Sequence, residues 1–167
     1  HNPPPYNGMK LFGPEGRVVP AAFGNQVLAA YRQCQEDPQK ATWAPIQSIG
    51  LRRRIEDPHQ AHLDRVLATV DAQAIRKCRM KVLVDSNHGA GSILAARLLE
   101  ALGCEFVILG DRPDGQFSHP PEPILENLSA VGASVTQGGF AAGFCQDPDA
   151  DRLALLDEHG AYIGEEY

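Results

Sequence analysis

The segment Asp-Pro-Asp-Ala-Asp-Arg at residues 147–152 has the clearest capacity for chemistry. It places carboxylates at Asp147, Asp149 and Asp151 and a guanidinium at Arg152. In an extended segment alternate side chains share one face, so the three carboxylates converge if the loop curves around an ion. Two carboxylates about 4 Å apart repel by roughly 4 kcal/mol at an effective dielectric constant near 20, so three of them need a cation. Oxygen ligands of this kind select Mg²⁺ or Ca²⁺ over a transition metal such as zinc.

Two other interpretations of this segment need to be weighed. The simpler one is an acidic surface turn whose aspartates cap backbone amides. The other is an EF-hand calcium loop, because Glu158 follows Asp147 at the spacing of the last ligand in such a loop. That loop needs glycine at its sixth position, where this chain has Arg152, and a helix on each side, where the flanking sequence is strand-like. The pattern therefore favours a different kind of metal loop or an acidic turn.

Residues 1–10 are the second segment with chemical potential. Three consecutive prolines stiffen this segment as a loop, because they lack amide donors. His1 could donate or accept a proton, Asn2 offers an amide and Lys10 offers a cation, all of which are useful around a phosphate. The spacing alone is a weak indication, since a histidine beside prolines is more often an exposed loop residue.

Two folding units are predicted to carry these segments. Residues 36–58 contain three prolines and no sustained hydrophobic period, which indicates a connection. We therefore predict that residues 1–50 are the C-terminal part of one domain and that residues 51–167 are a second domain. In the first, residues 9–12 are a predicted strand. Apolar residues at helical spacing predict a helix over residues 21–35, with an apolar stripe that faces a sheet.

The second unit contains the pattern strand, glycine-rich turn, helix, strand. Residues 81–85 are a short apolar strand, residues 92–103 an amphipathic helix and residues 104–110 a second apolar strand. This βαβ unit is expected to be right-handed with parallel strands. The turn at residues 86–91 could cradle a phosphate at a helix N-terminus. However, it lacks the lysine of a P-loop and the full glycine pattern of a dinucleotide site, which favours a structural role.

Three further predictions complete the second unit. Asp57 and Pro58 begin a helix that runs to about Val70, because aspartate caps helices and proline suits the first helical position. A short helix is predicted over residues 124–131. The remaining predicted strands flank the Asp-rich segment, at residues 142–145 and 153–156. The predicted fold class is α/β, with a mixed sheet flanked by helices.

Composition excludes several classes of protein. The chain has 167 residues, a formal charge of −6, 43% hydrophobic and 22% charged residues, an ordinary globular balance. The negative charge argues against nucleic acid as a partner, and no apolar run approaches the roughly 20 residues of a membrane helix. Four isolated cysteines without zinc-ligand spacing favour a reducing compartment, so we expect a cytoplasmic protein without disulfides.

The two candidate segments, in this order, resemble the α-D-phosphohexomutase family, which includes phosphoglucomutases, phosphomannomutases and phosphoglucosamine mutases. In that family His-Asn-Pro directly follows the active-site serine, and the loop continues in the style of PPxYNGxK, as residues 1–10 do. The family's metal loop is DGDGDR or DGDADR, from the second of which this chain differs only at Pro148. The segments KVLVDSNHGAG, PDGQF and PEPILENL also resemble its second domain, so the resemblance spans nearly the whole chain.

The resemblance implies an activity and a cofactor. The activity is a reversible shift of phosphate between the 1- and 6-positions of a hexose, through an enzyme phosphoserine and a bisphosphate intermediate. The cofactor is Mg²⁺, held by Asp147, Asp149 and Asp151, with Arg152 on the phosphate. The implied partners are a phosphohexose and a hexose bisphosphate. A magnesium-dependent, phosphatase-like hydrolase and a degenerate, non-catalytic homologue are the alternatives.

The resemblance also implies roles for the first segment. His1 and Lys10 would assist proton transfer at the sugar hydroxyl and contact phosphate, with the choice of general base left open between them. Asn2 would orient the loop. The phosphoserine is expected just before His1. The sugar-recognition and C-terminal phosphate-binding loops are expected beyond Tyr167, in later domains.

Overall fold

The computed structural model describes residues 8–164, and the chain divides into two compact units, one ending at Ile55 and the other beginning at Glu56. The first unit contains helix α1 (Ala21–Glu36), which confirms the helix predicted over residues 21–35. Single 3-10 turns follow at Pro38–Lys40 and Ile46–Ser48. The assignment of the first unit to the C-terminal part of a domain stays a prediction.

Two predictions for the first unit are wrong. Residues 9–12 form no strand, since their only ladder contact is an isolated antiparallel bridge between Phe12 and Val18. A turn closed by the Gly16 N–H on the Gly13 carbonyl reverses the chain directly after Phe12, so the run is too short to pair further. The apolar stripe of α1 is also uncovered among the described residues, with Phe23 and Tyr31 more than half exposed.

The second unit is built on a mixed five-stranded sheet with the strand order β2-β1-β3-β4-β5. Strand β1 pairs in parallel with β2 and β3, and β4 pairs antiparallel with β3 and β5. The strands are β1 (Lys81–Asp85), β2 (Glu105–Leu109), β3 (Ala142–Gln146), β4 (Leu153–Leu156) and β5 (Tyr162–Gly164). This sheet confirms the predicted fold class and all four predicted strands of the unit. Strand β5 was not predicted.

Four helices flank the sheet: α2 (Gln60–Leu67), α3 (Ala72–Cys78), α4 (Ser92–Ala101) and α5 (Ser129–Gly138). Helix α4 confirms the predicted crossover helix. The helix predicted from Asp57 to about Val70 is shorter than expected, since α2 begins at Gln60, has His59 as its N-cap residue and ends at Leu67. Asp57 lies just before it, and its Oδ1 accepts from the backbone N–H groups of His59 at 3.0 Å and Gln60 at 3.1 Å. Helix α3 was not predicted. No helix in the described part of the chain is long and apolar enough to cross a membrane.

Helix α5 corrects the helix predicted over residues 124–131. A 3-10 turn occupies Leu125–Asn127, and α5 begins at Ser129 and continues to Gly138. Its glycine, serine and threonine residues are weak helix formers, so the local sequence gives little indication of a helix. Burial of Val131 and Val135 against the sheet stabilises the helix instead.

The core of the second unit lies between α5 and the central strands. Its buried members are Leu83, Leu128, Val131, Val135, Phe140, Cys145, Ala154 and Leu156. Strand β1 is apolar on both faces, as is typical of a strand in the parallel part of a sheet. Because β1 and β3 are parallel, with Asp85 opposite Cys145, the segments that follow them emerge at the same edge. That edge carries the candidate site.

Candidate metal centre

The Asp-rich segment is the loop of the β3–β4 hairpin. The last strand pair, Gln146 with Leu153, closes residues 147–152 into a tight loop. Inside it the N–H of Ala150 donates to the carbonyl of Asp147 at 3.0 Å. Ala150 has a φ of 60°, in the left-handed region that costs a non-glycine residue about 1–2 kcal/mol. The loop is therefore held curved rather than extended.

This curvature brings the three predicted metal ligands close to one another. Asp147, Asp149 and Asp151 each offer a carboxylate oxygen, and these oxygens all lie within 4.8 Å of one another. Asp147 is fully buried, whereas Asp149 and Asp151 are exposed. The group therefore has a fixed inner carboxylate and two outer carboxylates that face solvent.

Arg152 is bonded to the inner carboxylate. Its backbone N–H donates to Asp147 Oδ1 at 3.2 Å, and its Nε–H donates to Asp147 Oδ2 at 3.2 Å. Burial raises the pKa of Asp147 above its usual value. The N–H of Arg152 opposes this shift, while the neighbouring carboxylates of Asp149 and Asp151 add to it. A carboxylate oxygen accepts more than one bond, so Asp147 can keep Arg152 and still ligate a cation.

The glycine-rich turn at residues 86–91 packs directly against this loop. The N–H of Ala90 donates to the carbonyl of Pro148 at 2.8 Å. A Cβ added at Gly89 would lie 2.7 Å from that same carbonyl oxygen and 2.8 Å from the Pro148 Cα. The turn thus contacts the Asp-rich loop through backbone atoms, which agrees with the structural role that its sequence favours.

An ion pair at the same edge, between the buried Asp85 and the partly buried His119, was not predicted. Asp85, at the end of β1, accepts from His119 Nε2 at 2.7 Å, and His119 Nδ1 lies 2.9 Å from the carbonyl of Pro120. A carbonyl only accepts, so Nδ1 carries a proton, and Nε2 faces a carboxylate; the arrangement favours the imidazolium. The hydrogen bond to Asp85 accordingly raises the pKa of His119, against partial burial, which lowers it.

The amide of Asn87 holds the same segment. Its Oδ1 accepts from the backbone N–H of Ser118 at 2.8 Å, and its Nδ2 donates to the carbonyl of His119 at 3.0 Å. Asp85 and Asn87 are both buried. A polar residue that directly follows a buried apolar strand was the available sequence signal for this anchor.

Of the catalytic residues predicted in the first segment, only Lys10 lies among the described residues. His1 and Asn2 lie outside the described residues. Lys10 belongs to the first unit, where it is exposed, and its role beside the metal loop stays a prediction.

Comparisons with known proteins identify the family. The model of the phosphoglucomutase/phosphomannomutase family for its alpha/beta/alpha domain II matches residues 60–160. A phosphoglucomutase/phosphomannomutase of Thermococcus kodakarensis is 37% identical over 98% of this chain and 35% of its own length. A probable phosphoglucosamine mutase of Methanococcoides burtonii is 33% identical over 98% of this chain and 36% of its own length. The chain thus spans about a third of the length of these relatives.

A solved structure supports the fold. The phosphoglucomutase pp63/parafusin from Paramecium superposes with a TM-score of 0.62 at 17% identity, over 86% of this chain and 31% of its own. With the family model and the two relatives, the resemblance noted from the sequence is confirmed. The chain belongs to the phosphoglucomutase/phosphomannomutase family of α-D-phosphohexomutases, and residues 60–160 are its α/β/α domain II.

Proposed function

We propose that this chain carries the metal loop of a phosphohexomutase, which shifts a phosphoryl group between the 1- and 6-positions of a hexose phosphate. A phosphoserine of the whole enzyme donates the phosphoryl group, a hexose bisphosphate forms, and the serine is rephosphorylated from the other end of the sugar. The observation that carries the proposal is the convergence of three carboxylates within 4.8 Å beside Arg152. Its support at the level of reaction class is that the relatives are named as mutases.

The donor set fits Mg²⁺. Three carboxylates carry three negative charges, which a divalent cation and Arg152 together neutralise before an anionic substrate arrives. Mg²⁺ prefers hard oxygen ligands and keeps several of its water molecules. Asp149 and Asp151 are exposed, so an ion bound to their carboxylates can keep water ligands on its solvent side. When bound there, the ion would draw charge from a phosphoryl oxygen and improve the serine as a leaving group.

The chain's own residues bind and orient the phosphate. Arg152 uses its Nε–H on Asp147, so the guanidinium keeps further N–H donors for phosphate oxygens in a planar array. Lys10 adds a second cation for phosphate. We assign proton transfer at the sugar hydroxyl to His1 or Lys10 and loop orientation to Asn2. Positioning and charge stabilisation are the main sources of catalysis in phosphoryl transfer, and these residues supply both.

The test is a coupled assay on the full-length protein. The substrates are glucose 1-phosphate, mannose 1-phosphate and glucosamine 1-phosphate, each with Mg²⁺ and a trace of the matching bisphosphate, and EDTA is the control. We expect magnesium-dependent isomerisation of at least one substrate. Release of inorganic phosphate without isomerisation would support a hydrolase instead. Inactivity on all three, from folded protein that carries the phosphoserine, would support a degenerate homologue.

A pair of matched variants tests the ligand assignment. Asp149→Asn is expected to abolish turnover with little change in thermal stability, because Asp149 is exposed on the loop and contributes little to the core. Asp64→Asn removes an exposed carboxylate from α2 and is expected to retain activity. Full activity of Asp149→Asn at saturating Mg²⁺ would reject Asp149 as a ligand.

A further inference from the structure

A carboxylate from outside the metal loop faces the guanidinium of Arg152. Glu122 Oε1 lies 3.8 Å from Arg152 Nη1, while Arg152 Nε is bonded to Asp147 Oδ2 at 3.2 Å. The guanidinium is planar and rigid, so the hydrogen bond at Nε and the ion pair at Nη1 together favour one orientation of its plane.

The backbone of Glu122 is held in place. Its carbonyl accepts from the side-chain amide of Asn127 at 2.8 Å and from the N–H of Ile124 at 2.9 Å. A few residues earlier, the same segment is anchored by the ion pair of the partly buried His119 with the buried Asp85 at 2.7 Å. The Glu122 carboxylate is therefore presented from a fixed segment rather than from a free arm.

The geometry points to Glu122 as a positioning residue, which orients the guanidinium of Arg152 for the phosphate of the substrate. This inference rests on the proposed function, because that function supplies the phosphate that the Arg152 guanidinium binds. The side chain of Glu122 is 57% exposed and that of Arg152 is 38% exposed, so the ion pair contributes little to stability. We therefore expect this ion pair to affect the binding of the substrate phosphate rather than the stability of the fold.

The sign of the effect distinguishes positioning from simple proximity. A carboxylate near a phosphate-binding arginine repels the phosphate. If Glu122 is only a neighbouring charge, its removal tightens binding of phosphate. If Glu122 orients Arg152, its removal weakens binding despite the lost repulsion. An exposed ion pair whose interaction free energy lies at the strong end of the usual range corresponds to about a fivefold change in affinity for the phosphate.

The experiment compares Glu122→Gln with Glu126→Gln in the full-length protein. Glu126 is an exposed carboxylate four positions along the same segment, so it matches the charge change without the contact to Arg152. We expect Glu122→Gln to raise KM for the sugar phosphate about fivefold, and the dissociation constant of glucose 1,6-bisphosphate similarly, with a smaller change in kcat. Glu126→Gln should change neither by more than about twofold. In an Arg152→Lys background, Glu122→Gln should have no further effect.

A measurement without turnover separates this inference from the proposed function. In protein labelled with ¹⁵N-arginine, the Nε–H signal of Arg152 is assigned by its loss in Arg152→Lys. Glu122→Gln is expected to shift or broaden that signal, and Glu126→Gln is not. An inactive wild-type enzyme would reject the mutase proposal, while the signal still shows whether Glu122 interacts with the guanidinium of Arg152. An unchanged signal, or tighter binding of the bisphosphate by Glu122→Gln, would overturn the inference.

Discussion

Replacing Gly89 with alanine tests whether the glycine-rich turn supports the metal loop. The new Cβ would lie 2.7 Å from the carbonyl oxygen of Pro148, 2.8 Å from its Cα and 2.9 Å from the carbonyl oxygen of Ser86. All three atoms belong to backbone, so no side chain can rotate away to relieve the contact. The turn and the loop must therefore separate.

The expected cost follows from these contacts. Overpacking of this kind destabilises by about 1–3 kcal/mol. Separation would also weaken the bond from the Ala90 N–H to the Pro148 carbonyl, at 2.8 Å, which contributes about 0.5–1.5 kcal/mol. We expect Gly89→Ala to destabilise domain II by about 2–4 kcal/mol. Because the outer support of a metal site is lost, affinity for Mg²⁺ should fall by about 10- to 100-fold.

The assays are urea unfolding and calorimetric titration with Mg²⁺, both on the full-length protein. Gly24→Ala is the control, because a Cβ at Gly24 in α1 would meet nothing within 4 Å. It should be neutral or stabilising by up to about 1 kcal/mol, through the better helix propensity of alanine. Wild-type stability and Mg²⁺ affinity in Gly89→Ala would refute the claim that the turn sets the position of the loop.

Three further predictions concern pH and loop chemistry. The ion pair of His119 with Asp85 should stabilise domain II fully below pH 6.5 and progressively less as pH rises through the raised pKa of His119. Urea midpoints should therefore fall more steeply with rising pH in the wild type than in His119→Gln, and parallel slopes would contradict this. Pro148→Ala keeps the ligand set and should lower stability by about 0.4–1 kcal/mol through the freer unfolded chain, with Mg²⁺ affinity nearly unchanged; calorimetry and unfolding check both. The bidentate bond from Arg97 lowers the pKa of Asp57 to about 2. Arg97→Ala should return that pKa toward 3.8 in a carboxyl NMR titration, and the stability advantage of the wild type should disappear as pH falls from 4 to 2.

Much of domain II could be predicted because its signals are local. Strand β1 and helix α4 follow from apolar runs with a glycine-rich turn between them, and the hairpin loop follows from alternating carboxylates between two apolar segments. Helix α5 was mispredicted because tertiary burial of Val131 and Val135, rather than propensity, stabilises it.

The supporting part of the site could not be predicted, because its contacts are far apart in sequence. Asp85 and His119 are separated by 34 positions, and no periodicity links a strand end to a histidine in a proline-rich segment. Glu122 meets Arg152 only because that segment crosses to the edge where the β3–β4 hairpin loop emerges. Such pairs become visible only when the sheet order is known.

Burial of Asp147 favours the proposed metal loop over an acidic surface turn. Asp147 accepts from the backbone N–H of Arg152, as an aspartate in such a turn would, but burying its carboxylate brings no advantage to a turn in water. Here the innermost carboxylate is buried, and the two outer ones within 4.8 Å raise its pKa further. Arg152 offsets only part of that negative charge, and its guanidinium is shared with Glu122. The arrangement of these carboxylates becomes favourable when a cation offsets their remaining repulsion, and the close approach of the turn at residues 86–91 limits how far the inner end of the loop can move.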